Sequence, residues 1–209
     1  MKSNLVRIFL LVVLVGLFTV LAPLEQTLGS NARIVYLHGA WVWVALIGFV
    51  AAALSGSAGL LLKKAMFHHW SRAMGWVGLG FWITFLPMSM YVMQANWNGL
   101  FLQEPRFRIP LNYAVVGLLM QIGLALLNRP LLTSAANTLF GIALLVGMSG
   151  MDTVLHPESP IFSSNARGIQ LFFLTLVLLL SSAAWQIAEL LVRWQFQHVT
   201  ANRVAAKTA

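Results

Sequence analysis

Apolar residues gather into six long runs along the chain, at about 5–22, 33–62, 74–94, 109–127, 131–149 and 168–196, with short polar stretches between them. A helix crosses a bilayer core with roughly 20 apolar residues, so these runs predict six membrane spans. The expected fold is all-α: a polytopic six-transmembrane-helix bundle in one domain, 1–209, with both termini on the same side. Lys2 and Arg7 precede the apolar core of the first run as they would in a signal peptide. Pro23 follows it directly, however, and no small-x-small cleavage pattern appears, so an uncleaved helix is expected.

The polar stretches differ in character. KKAMFHHWSR, 63–72, and NRP, 128–130, predict plain turns on the side of the termini. The stretches at 95–108 and 150–167, on the opposite side, are longer and richer in Pro, Gly and polar residues, which points to that side for any chemistry. AAALSGSAG, 51–59, and GWVGLG, 75–80, are small-residue segments that allow helix backbones to approach closely. Pro87 within the third run suggests a kink, and Pro110 the start of the fourth helix.

Composition agrees with the pattern: of 209 residues, 59% are hydrophobic and 9% charged, against roughly 25% charged in soluble domains. The formal net charge of +8 raises the question of nucleic acid, and its distribution answers it. Lys2, Arg7, Lys63, Lys64, Arg72, Arg129, Arg193, Arg203 and Lys207 fall on the side of the termini, with Glu189 as the acid there. Arg33, Arg106, Arg108 and Arg167 on the other side are matched by Glu25, Glu104, Asp152 and Glu158. Basic loops stay cytoplasmic, so both termini are expected there, in a bacterial or archaeal inner membrane, and the charge is no argument for nucleic acid. With no cysteine, thiol catalysis, thiolate-bound metal and disulfides are excluded.

The candidate chemistry lies in the histidines. His68 and His69 sit in a basic turn and His198 in the C-terminal tail, where solvated histidines are ordinary. His38 stands in RIVYLHGAWVWVAL, five residues after Arg33, about 8 Å along a helix and at the edge of the hydrocarbon. An ionisable residue at that depth marks a functional site, although a neutral imidazole bonded to a neighbouring helix is the competing explanation. His156, in MDTVLHPESP, lies on the same outer side. Two imidazoles from two segments suit the axial positions of a haem iron, whereas a copper or zinc site lacks a third ligand of suitable spacing. Trp41, Trp97 and Phe101 offer an aromatic lining, or else belong to an interfacial aromatic belt. Arg106 and Arg108, with Glu104, offer contacts to haem propionates or to lipid headgroups.

Three segments together resemble the haem-handling membrane proteins of cytochrome c assembly, most closely the CcmC branch. RIVYLHGAW is similar to the family's first-histidine segment and TVLHPESP to its second. NWNGLFLQEPRFRIPL, 96–111, falls where the family carries W-G-x-x-W-x-W-D-x-R-L-T, with Trp97 at the first tryptophan, Glu104 at the aspartate and Arg106 at the arginine. Gln103 stands at a further tryptophan position, Asn98 at the glycine and Arg108 at the threonine. The resemblance implies a haem b held between His38 and His156 on the outer face, over a platform including Trp97, and passed to a periplasmic haem chaperone or apocytochrome c beside other membrane assembly subunits. It implies no bond-making catalysis. The altered motif keeps open a haem-retaining electron carrier or a structural subunit of a respiratory or photosynthetic complex. A haem-free transporter or channel is the third reading.

Overall fold

A computed structural model describes residues 2–149, 161–163 and 165–208, with side-chain surroundings given for 3–149, 161–163 and 165–197. The chain forms helices α1 (Lys2–Val20), α2 (Ala32–Leu62), α3 (Ala65–Trp97), α4 (Pro105–Leu127), α5 (Pro130–Ser149) and α6 (Arg167–Thr208). All six are long and apolar enough to cross a membrane. Their outward faces carry residues such as Phe9, Leu119 and Leu139, each about two-thirds exposed, as a multi-pass membrane protein presents to lipid.

Helix ends are set by local chemistry. Pro105 and Pro130 open α4 and α5, where a missing backbone N–H costs nothing. Lys63, Asn98 and Asn128 close α2, α3 and α4 in the left-handed conformation, with φ of 54°, 51° and 47°. Two of the expected boundaries move. The connection between α2 and α3 is only Lys63 and Lys64, because FHHWSR continues as the amphipathic first turns of α3. Pro110 lies inside α4 rather than at its start, so Arg106, Phe107 and Arg108 are helical.

The antiparallel α2–α3 pair forms the centre, and each of its helices also packs on α5 and α6. Small residues make this possible. A Cβ on Gly48 would stand 2.8 Å from the Gly78 Cα, and one on Gly56 would stand 2.6 Å from the Ser134 carbonyl of α5. α4 flanks α3 and α5, while α1 lies along α6. Asn4 donates to Glu189 at 3.0 Å and Phe18 stacks on Phe172 at 4.5 Å, so α1 and α6 run antiparallel. Glu189 also pairs with Arg193 one turn on.

Near the end of the bundle that holds the start of α1, a buried polar network ties four helices together. Gln121 of α4 donates to Asn137 Oδ1 of α5 at 2.7 Å. Asn137 donates to the Ser71 carbonyl and hydroxyl of α3 at 2.9 and 3.2 Å. Ser71 in turn donates to the Ala52 carbonyl of α2 at 2.9 Å. His68, expected in a solvated turn, instead sits on α3 with Nδ1 2.7 Å from the Ser134 hydroxyl. In hydrocarbon, helices hold one another through packing and interhelical hydrogen bonds, which is the role this network plays.

Candidate functional site

At the opposite end the helices part around a chamber of about 600 Å³, within the range of small-molecule and cofactor sites, roughly 300–1,000 Å³. Its walls come from α2, α3, the first turn of α4, the start of α6 and the α1–α2 connection. On α2 the lining residues Ala32, Tyr36, Gly39 and Trp43 recur at intervals of four, three and four, one stripe of a helix. The stripe spans about 16 Å at 1.5 Å per residue. His38 lines the chamber from the margin of this stripe, its ring 5.8 Å from that of Phe85 on α3.

The turn between α3 and α4 supplies the mouth. Trp97 ends α3, Asn98 reverses the chain, and Glu104 accepts the first backbone N–H bonds of α4, from Phe107 and Arg108 at 2.9 Å. Trp97, Glu104, Arg106 and Phe107 all line the chamber, and the Glu104 carboxyl-bearing residue is buried. The α1–α2 connection contributes Glu25, whose carboxylate accepts the Thr27 and Leu28 backbone N–H groups at 2.8 Å. Gly29, at φ 55°, gives this connection its tight reversal. Asn31 donates to the Ala95 carbonyl at 3.2 Å and so pins the connection to the end of α3.

Of the residues selected from the sequence, His38, Trp97, Glu104 and Arg106 share this chamber. Trp41, Phe101 and Arg108 stand elsewhere. Trp41 lies two residues, about 200°, from both Gly39 and Trp43, so it faces away from the stripe. Its Nε1 donates to the Thr84 hydroxyl at 2.8 Å and its ring packs on Phe81 at 4.7 Å, within the α2–α3 contact. Arg108 is likewise two residues from Arg106 on α4, and it reaches Gln103 at 3.3 Å on the exposed side. Phe101 folds over Gly99 at the surface. His156 lies outside the described residues. Among the described residues no group of three or more His, Cys, Asp or Glu is placed to hold a metal ion.

Tyr36 and Asn96 also line the chamber and were not candidates from the sequence. Tyr36 is only 4% exposed, and its hydroxyl and the Oδ1 of Asn96 are buried with no hydrogen-bond partner among the described residues. A buried polar atom left unsatisfied costs about 1–3 kcal/mol, the mark of a place where a ligand or water belongs. The signal available for Tyr36 was its spacing: it shares a helical stripe with two small residues and a tryptophan at the depth of His38. No protein-family model, no curated protein and no solved structure matches the chain.

Proposed function

We propose that the chamber is a haem site and that the protein handles haem for cytochrome c assembly, holding it at the outer face of the cytoplasmic membrane with both termini cytoplasmic. The observation that carries this reading is the meeting of two distant segments: His38 of α2 lines the same cavity as Trp97, Glu104 and Arg106. The donor set fits the group. An imidazole at the margin suits an axial position on iron, Trp97, Phe107 and Phe173 offer an apolar bed, and the guanidinium of Arg106 suits a propionate. His156, outside the described residues, is the second ligand that the resemblance implies.

In this role the chain positions a cofactor without making a bond. Haem itself supplies the iron redox chemistry when bound. His38 would hold the iron, Trp97 and Phe107 would exclude water from it, and Arg106 would hold a propionate. The recipient is a periplasmic haem chaperone or an apocytochrome, with other membrane assembly subunits as partners.

One observation favours a second reading, in which haem stays as an electron carrier of a larger membrane complex. Phe101 lies outside the chamber, so of the tryptophan positions in the altered segment only Trp97 brings an aromatic ring to it among the described residues. Haem that cycles between oxidised and reduced forms but never moves to an apocytochrome in a transfer assay would decide for that reading.

The test is an absorption spectrum of the detergent-purified, haem-supplemented protein, oxidised and reduced. We expect a six-coordinate low-spin spectrum in the wild type. His38→Ala should weaken haem binding by about 100-fold, or roughly 2.7 kcal/mol, and change the spin state, while the helical circular dichroism stays the same. An unchanged spectrum in His38→Ala removes the ligand assignment, and no haem spectrum in the wild type removes the haem reading.

A further inference from the structure

The chamber has a thin side wall. Trp43 of α2 lines the cavity and is 48% exposed. Phe162, in the turn before α6, does the same at 43%. Their rings meet edge-on at 6.0 Å, and Phe162 meets the buried Phe173 edge-on at 5.7 Å. Both rings thus count among the chamber lining and among the exposed large apolar side chains. Trp43 lies eleven residues into α2, about 16 Å from its start, so for a membrane-spanning bundle the surface outside it is lipid.

The wall is tied to α6 through backbone and not through the rings themselves. Phe162 belongs to a short turn rather than to a helix. The Gln170 amide of α6 donates to the carbonyls of Ile161 and Phe162 at 3.3 and 3.4 Å, which fixes the turn against the first turns of α6. Non-helical backbone at membrane depth is tolerated where it lines a cavity. Behind it, Gly39 lets Phe173 come close to α2: a Cβ there would stand 3.2 Å from the Phe173 ring. Edge-to-face aromatic contacts are weak and change geometry without breaking any hydrogen bond. The alternative way in, past Glu25, Glu104 and Arg106 at the bundle end, is lined by charge.

We propose that the chamber takes its haem sideways from the apolar phase of the bilayer, through a portal between α2 and α6 whose shutter is the Phe162 ring seated between Trp43 and Phe173. The proposal rests on the haem reading and adds the source and the path of the ligand. A flat apolar macrocycle dissolves in lipid and passes an aromatic slot edge-first, with its carboxyl groups trailing toward the polar end of the chamber.

Because the chain has no cysteine, Trp43→Cys with Phe162→Cys introduces the sole thiol pair. The folded double variant in nanodiscs is joined with a bis-maleimide that carries a reducible disulfide. Haem uptake from preloaded phosphatidylcholine vesicles is then followed by absorbance, beside uptake from an aqueous albumin–haem donor. We expect the linked form to take up vesicle haem about ten-fold more slowly, with recovery on reduction and the same final occupancy. Phe162→Ala should raise the uptake and release rates together, about ten-fold, and leave the equilibrium constant within about two-fold. Vesicle uptake at an unchanged rate in both variants overturns the portal, as does a linked form slowed only toward the aqueous donor. If neither the wild type nor the variants reach any haem occupancy, the haem reading fails and takes the portal with it.

Discussion

The two polar centres of this bundle lie at opposite ends of the same α2–α3 pair, and they have been solved in opposite ways. Toward the start of α1, Ser71, Gln121, Ser134 and Asn137 are all buried and tied by hydrogen bonds to one another, to His68 or to backbone, with the Gln121 Oε1 as the one atom of the four side chains left over among the described residues, around glycines that admit no side chain. Toward the other end, the Tyr36 hydroxyl and the Asn96 Oδ1 have no partner among the described residues and stand beside a cavity, and acids and an arginine face the same space. Polar residues in a membrane bundle thus serve two purposes, and burial does not tell them apart. What does is whether the donors and acceptors are consumed within the protein. By that measure the Ser71–Asn137 network, most of whose donors and acceptors are used, is a clamp between helices, and the chamber, open and lined by unpartnered oxygens, is the candidate site.

Substitutions that remove one purpose while leaving the other intact sharpen the contrast. The largest effect is expected for Asn137→Leu, which deletes three hydrogen bonds and strands Gln121. It should lower unfolding stability by about 2 kcal/mol in detergent titrations and leave haem affinity unchanged. A loss of haem affinity of similar size would show that the two ends are coupled and that the contrast is false. Tyr36→Phe should act in the reverse sense, by about 1 kcal/mol. Removing an unsatisfied hydroxyl leaves stability equal or slightly higher, while haem titration weakens several-fold. Lower stability without a change in titration would return Tyr36 to the packing of the core. The smallest effect is expected for Arg108→Ala, under about 0.5 kcal/mol in both measurements, since its contact with Gln103 is exposed. A haem titration shifted as far as that of Arg106→Ala would contradict the division of those two arginines by helix face.

Parts of this were legible from the residues alone. The six helices follow from apolar runs that have no alternative in hydrocarbon. The ends were harder. The segment from Met66 to Arg72 reads as polar, yet Ser71 and His68 find partners on α2 and α5, and that gain carries the helix back to Ala65. Trp97, Glu104 and Arg106 were identifiable because they bracket a reversal of the chain. Arg108 and Trp41 were grouped with them because a segment read as loop, or a tryptophan near a histidine, has no assigned facing. Tyr36 carries no mark in the sequence beyond the helical spacing it shares with Ala32, Gly39 and Trp43.

The chain by itself therefore determined how many helices there are, that they suit a membrane, and which few residues are costly at depth. Only the tertiary structure decided which of them face each other, that His38 meets Trp97 and Arg106, and that Tyr36 rather than Trp41 lines the chamber. The reason is physical. In water, the apolar stripe of a helix marks its buried face, but in a bilayer, lipid and protein interior are equally apolar, so hydrophobicity sets that a helix spans and says little about which way it turns.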